Sequence, residues 1–274
     1  MALPSCPDCE SHNLNRLEVL PDTRRHLVCL DCDHDWLYGE AVVAPEPVDS
    51  LARARGRFPT VDAVPAATRE RSLELKSRFL AEQPTPGEAV APYWAKYQQV
   101  FSEEGLRSCD PKDLKDFANT TTGANPGNMS VFNTAWNELG APDAADAVRD
   151  AVDYLLRGPG SISEEDRLTH LIRGDRGLGM KGFRESLLTK VLCIVHPDRF
   201  LPILVYTGTA GKREIAEKVF GLRMPTPESV SWTPGRLAYW SNDLLRELAG
   251  DGFTDTVHVA EFLWWAKDQV SSRA

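Results

Sequence analysis

The sequence predicts a mainly α-helical chain preceded by a small β segment, on three observations. Two Cys-x-x-Cys pairs flank a strand–turn–strand pattern within the first 32 residues, too little chain for a core of its own. Beyond residue 60 the apolar residues recur at helical spacing. The clearest stripe lies in Asp143–Leu156, where Ala144, Ala147, Val148, Ala151, Val152, Leu155 and Leu156 share one face. No strand-rich stretch interrupts that pattern. The expected division is a β unit over 1–40, a linker over 41–59 and one helical domain over 60–274.

Cys6-Pro-Asp-Cys9 and Cys29-Leu-Asp-Cys32 are separated by nineteen residues, the spacing of a four-cysteine zinc site. Each knuckle points two thiolates at one place, and two knuckles build the tetrahedral sulfur cage that Zn²⁺ prefers. A closed four-thiolate shell has no position for water, so the expected zinc is structural. It supplies most of the folding energy of so short a segment. Leu14–Leu20 and His26–Leu30, with Pro21-Asp22-Thr23 between them, read as a hairpin, and Trp36 is expected to cover one side of the site. The whole segment, CPDCESHNLNRLEVLPDTRRHLVCLDCDHDW, resembles a zinc ribbon.

The N-terminus MALPSCPDCE has neither a basic region nor an apolar core of the secretory kind, so a cytoplasmic location is expected. A reducing compartment argues against pairing these cysteines as disulfides. His12, His26 and His34 read as surface residues, because four cysteines already fill the shell. Cys193 reads as a buried small hydrophobe, and Cys109 has no histidine beside it. Neither has the frame of a nucleophile.

Net charge is −9 and the isoelectric point is near 5.2, which disfavours a purely electrostatic nucleic-acid binder. The ribbon carries three arginines against eight carboxylates, a net of −5 over residues 1–40. Its cationic cluster is the hairpin tip Arg24-Arg25-His26. No apolar run reaches the ~18–20 residues of a membrane span, so no membrane partner is expected.

The remaining elements follow in order. Ala41–Ser50, with Pro45-Glu46-Pro47, is the linker core. Arg53, Arg55 and Arg57 alternate, which puts them on one face of a strand but around a helix. Thr68–Ala81 is expected to be a helix with Leu73, Leu75, Phe79 and Leu80 as its apolar members, ended by Pro84, Pro86 and Gly87. Tyr93, Trp94, Tyr97 and Phe101 open the next segment, and Asp110-Pro111 starts another through Leu114 and Phe117. Gly158-Pro159-Gly160 stops the 143–156 helix, and Ser161-Ile162-Ser163-Glu164 has the form of a capping box. Further helices are expected over Leu187–Val195, Arg213–Phe220 and Pro234–Ala249, then one carrying Val259, Phe262, Leu263, Ala266 and Val270.

Gly177-x-Gly179-x-x-Gly182 follows a helix rather than a strand, so it is not a dinucleotide fingerprint, and the chain has no G-x-x-x-x-G-K-[ST]. The glycines allow a sharp turn just before a helix start, where backbone N–H groups attract anions. Residues 173–190 carry five cations against two carboxylates in an otherwise acidic chain. Arg173, Arg176, Lys181 and Arg184 are therefore the candidate phosphate contacts for DNA.

GLGMKGFRESLLTKVL resembles the helix-hairpin-helix group, whose glycine hairpin holds DNA phosphates. The resemblance implies a lyase lysine at Lys181, but the aspartate that should follow Pro202-Ile203 is replaced by Leu204. A broader resemblance spans roughly residues 90–270. The glycine turn, His196-Pro197-Asp198-Arg199-Phe200-Leu201-Pro202 and Ala260-Glu261-Phe262-Leu263-Trp264-Trp265 are similar to helical regions that precede the motor in McrB-like restriction ATPases. It implies a recognition or adaptor role in prokaryotic defence against foreign DNA, with a motor ATPase or nuclease as protein partner, although no motor lies in this chain.

The expected function is therefore non-catalytic DNA recognition or adaptation in a restriction-like system. Three alternatives stay open. One is a lyase using Lys181. Another is a metal-dependent nuclease using Glu74 and Lys76, with Asp62 upstream. The third is a protein–protein scaffold that touches no DNA.

Overall fold

The computed structural model describes residues 4–19, 25–32, 34–39, 54–87, 90–174, 177–226 and 234–272, with backbone alone for 16–19 and His26. The linker core 41–50 and Arg53 lie outside the described residues. Chain contacts divide into two units, Met1–Arg57 and Phe58–Ala274.

The first unit is a three-stranded antiparallel sheet, β1 (Leu14–Val19), β2 (Arg25–Cys29) and β3 (Asp35–Tyr38), in the order β1-β2-β3. Leu14 pairs with Cys29 and Val19 with Arg25, and a bulge between Arg16 and Glu18 absorbs one extra residue. The hairpin expected from sequence is present. The third strand is an addition, and Trp36 sits on it opposite Leu27. Leu27 is buried, and Trp36 is half-buried and stacks on His34.

The second unit is helical. Its described helices are α1 (Ala66–Glu82), α2 (Ala91–Val100), α3 (Glu103–Ser108), α4 (Pro111–Asn119), α5 (Ser130–Leu139), α6 (Ala141–Arg157), α7 (Glu164–Arg173), α8 (Glu185–Val195), α9 (Lys212–Phe220), α10 (Pro234–Ala249) and α11 (Thr256–Ser271). A 3₁₀ turn at Val61–Ala63 precedes them. No described helix is long and apolar enough to cross a membrane.

Local chemistry sets most of the boundaries. Asp110 caps α4 by accepting from Lys112 N, with Pro111 at the first helical position. Ser102 and Asp255 cap α3 and α11 in the same way. For α7 the cap is Ser163, accepting from Asp166 N at 3.2 Å, two residues after the Ser161 of the expected box. Left-handed Gly174 and Gly221 close α7 and α9.

Helix α8 lies at the centre of the core. Every residue from Leu187 to Ile194 is buried, as a helix apolar nearly all round requires. Its one ammonium, Lys190, is buried and donates to Phe117 O at 3.3 Å and Thr120 O at 2.5 Å, so it caps the carbonyl end of α4. Helix α6 packs its Ala144, Val148, Ala151, Val152 and Leu155 face on α4, α5, α7 and α8. Ala145 is buried too, whereas Ala147 and Leu156 of the expected stripe lie at its edges. On α1, Leu75 and Phe79 are buried but Leu73 is 58% exposed, because α11 and α9 cover only one side of α1.

Helices α7 and α10 approach so closely that a Cβ on Gly235 would lie 1.9 Å from Glu165 O. Gly235 N donates to Thr169 Oγ1 across the same contact. The His196–Pro202 segment clamps α10 and α11 onto α8. Leu201 N donates to Asn242 Oδ1, Asn242 Nδ2 donates to Arg199 O, and Thr256 Oγ1 donates to Pro197 O at 2.7 Å. Phe200 meets Tyr239 edge-on, and the Arg199 guanidinium lies over both rings.

Candidate metal centre and basic loop

The two knuckles converge. The sulfurs of Cys6, Cys9, Cys29 and Cys32 all lie within 4.8 Å of one another. Cys6 Sγ is 3.6 Å from Cys32 Sγ, and Cys9 Sγ is 3.5 Å from Cys29 Sγ. Sulfurs around a tetrahedral metal with ~2.3 Å bonds stand about 3.8 Å apart, whereas a disulfide needs about 2 Å. All four are free thiols, with Cys6 and Cys29 buried and Cys9 and Cys32 exposed. The set therefore fits a metal ion held by four sulfurs. Among the described residues it is the only group of three or more His, Cys, Asp or Glu side chains gathered closely enough for one.

Backbone bonds build the cage. Asp8 N points at Cys6 Sγ at 3.4 Å, Cys6 N donates to Ser11 O, and Cys29 N donates to His34 O. Asp31 ties the knuckles together, accepting from Ser11 Oγ and from Asn13 Nδ2. Those two bonds hold its carboxyl below the usual range. Burial raises the Cys29 thiol, but the Asp31 and Cys32 N–H groups and the neighbouring thiols together bring it down to about 7. The His34 N–H lowers Cys32, yet the crowding thiols and burial outweigh it and push Cys32 up to about 12. A metal ion binds thiolates, so its uptake expels the protons that such thiols retain.

Glu10 closes the first knuckle with φ of 60°, the left-handed region where a side chain costs about 1–2 kcal/mol. Changing Glu10→Gly is expected to stabilise the knuckle by up to about 1 kcal/mol, read as slower loss of metal to a chelator. An unchanged rate would mean that the left-handed turn carries no strain.

The nearby histidines stay outside the shell. His12 is exposed with Nδ1 3.2 Å from Pro4 O, and His34 stacks on Trp36. The side chain of His26 lies outside the described residues, as does Arg24. Cys193 is fully buried, donates to Leu201 O and is pushed up to about 12 by burial. Cys109 is raised by burial against the pull of Arg149.

The glycine-rich loop is a packed turn. Gly177, Gly179 and Gly182 all have positive φ. A Cβ on Gly182 would lie 2.4 Å from Phe132 N, so the loop rests directly on the start of α5. Arg173, in the last turn of α7, and Lys181 are exposed. Arg184 differs: it is half-buried and its Nη1 donates to Leu171 O at 3.3 Å, tying α8 to the carbonyl end of α7 across Gly174. Arg176 lies outside the described residues. Among the described residues of the loop, the accessible cations are thus Arg173 and Lys181. Sequence reasoning had no signal for the inward role of Arg184, because its partner is set by how two helices meet.

Glu74 and Lys76 diverge on α1. Glu74 is exposed, while Lys76 donates to Ala249 O at 2.6 Å and lies over the Phe253 ring. Lys76 therefore caps α10. Asp62 sits exposed in the 3₁₀ turn.

No protein-family model, curated protein or solved structure matches the chain.

Proposed function

We propose that the chain is a non-catalytic DNA-recognition or adaptor protein whose N-terminal unit is stapled by one structural Zn²⁺. The observation that carries this reading is the closed set of four thiols at Cys6, Cys9, Cys29 and Cys32. Four sulfur ligands complete a tetrahedral shell, so a metal there builds structure and activates no water. Among the described residues DNA contact falls to Arg173 and Lys181, which flank the glycine turn and reach solvent, and Arg176 between them is kept as a further contact. Arg184 supports that turn from inside. The restriction-like setting, with a motor ATPase or nuclease as partner, rests on the similarity of residues 90–270 to helical regions preceding McrB-like motors.

The test is a DNA titration of zinc-loaded protein at two salt concentrations. Contacts from Arg173 and Lys181 give a slope of log K on log salt of about −1.8, or about −2.7 with Arg176, and Lys181→Glu is expected to remove at least one contact, about 0.9 of that slope. Lys181 is exposed, so the variant keeps its fold. Absent or salt-independent binding would overturn the DNA reading. The net charge of −5 over the ribbon favours a second reading, a protein-docking adaptor, in that case. That reading predicts capture of a motor or nuclease without DNA.

A further inference from the structure

The turn between Tyr206 and Lys212 leads into a buried charge of the helical unit. Thr207–Ala210 are exposed, whereas Lys212, the first residue of α9, is wholly buried. Its ammonium has no hydrogen-bond acceptor among the described residues. The charged or titratable groups acting on it are Glu185 and Cys193 of α8 and Asp243 of α10. Glu185 is already engaged, accepting from Tyr206 N at 2.7 Å. An ammonium in that position is disfavoured unless it sheds its proton or returns to water.

Two glycines build the turn. Gly208 has φ of +94°, and a Cβ on Gly211 would strike Tyr206 O and Thr207 O at 2.6 Å. At its ends the turn is held by Tyr206 N to Glu185 Oε1, Tyr206 Oη to Pro225 O, Lys212 N to Val205 O, Arg213 N to Tyr206 O and Ile215 N to Gly211 O, whereas its exposed middle has Gly211 N to Gly208 O and the surface contact from Lys267 Nζ to Thr209 O. Ala210 and Val205 also form part of the wall of a cavity of about 470 Å³, lined further by Pro126, Pro202, Leu204 and Trp264.

We propose that residues 206–212 form a pH-sensitive wall of this cavity, closed when Lys212 is neutral and swung open when Lys212 is protonated and reaches water. Burial lowers the Lys212 pKa in the closed form, against the opposing pull of Cys193, Glu185 and Asp243. Closure is therefore fully favoured above the ordinary lysine value of about 10.4 and weakens as pH falls toward the lowered one. Cys193, at about 12, stays a neutral thiol through this window. Glu185 is raised by burial, so its own titration acts from the acid side and in the opposite sense.

Hydrogen exchange of the whole 274-residue chain tests this, following the peptide over residues 205–212 between about pH 6 and about pH 10. Rates are corrected for intrinsic exchange and read against α8 in the same molecules. In the unchanged protein the opening of this peptide is expected to fall by up to about tenfold per unit rise in pH, one proton being released on closing. In Lys212→Met the opening is expected to be low and independent of pH. Glu185→Gln is expected to keep the alkaline dependence, which separates the two groups if the methionine variant does not fold. A flat profile in the unchanged protein, or the same slope after Lys212→Met, would overturn the proposal.

Discussion

Replacing Cys29 and Cys32 together by serine is expected to abolish metal binding and unfold the N-terminal unit while the helical unit stays folded. The cage depends on two knuckles, and removing one leaves only Cys6 and Cys9 to hold an ion. The sheet cannot compensate. Within its described residues the buried apolar side chains are Cys6, Leu27 and Cys29, and Leu30, Leu37 and Tyr38 are exposed. Structural zinc in small domains supplies about 10–16 kcal/mol of apparent binding energy, far above what such a core provides. Metal analysis should find about one zinc per chain in the unchanged protein and none in the double variant. Limited proteolysis should then cut within residues 1–40, while helical circular dichroism changes little. Retained zinc, or a protease-resistant N-terminus without it, would mean that the thiols are not what folds this unit.

The second large effect is expected from a single methyl group. Gly235→Ala places a Cβ 1.9 Å from Glu165 O and 2.7 Å from Thr169 Oγ1. The obstacle is helix backbone, so α7 and α10 must separate, and the bond from Gly235 N to Thr169 Oγ1 breaks with them. Overpacking of this kind costs about 1–3 kcal/mol, and the lost buried bond adds about 1. The melting temperature should fall by roughly 6–12 °C for about 3 kcal/mol in a domain of this size. Gly160→Ala is the control. It meets nothing within 4 Å and is expected to stay within about 0.5 kcal/mol of the unchanged protein. Equal melting temperatures for the two variants would show that α7 and α10 do not pack this closely.

The sulfur site was legible because its information is local. A Cys-x-x-Cys turn directs both thiols by itself, and two such turns need only a hairpin between them to meet. Strand β3 was not legible: Asp35–Tyr38 is four residues without alternation, and it becomes a strand by pairing with β2. Helix ends were legible where punctuation marks them, as at Asp110-Pro111. The Ser161 cap was misplaced because Ser163 offers the same chemistry two residues later. The 259–270 stripe was incomplete, since α11 also buries Val257, His258 and Ala260 against its neighbours.

The sequence alone determined the class of the chain, a four-thiol β unit ahead of a helical unit. Ligand spacing, helical periodicity and capping chemistry act over a few residues and need no knowledge of the rest. Only the tertiary structure decided what the charged side chains do. Arg184 turns inward to Leu171 O, and Lys76 reaches Ala249 O across 173 residues of chain. The segment His196–Pro202 became a clamp for α10 and α11 through Asn242 and Thr256. A long cation takes the nearest buried carbonyl, and which carbonyl is near depends on how distant helices pack, a property that no local pattern encodes.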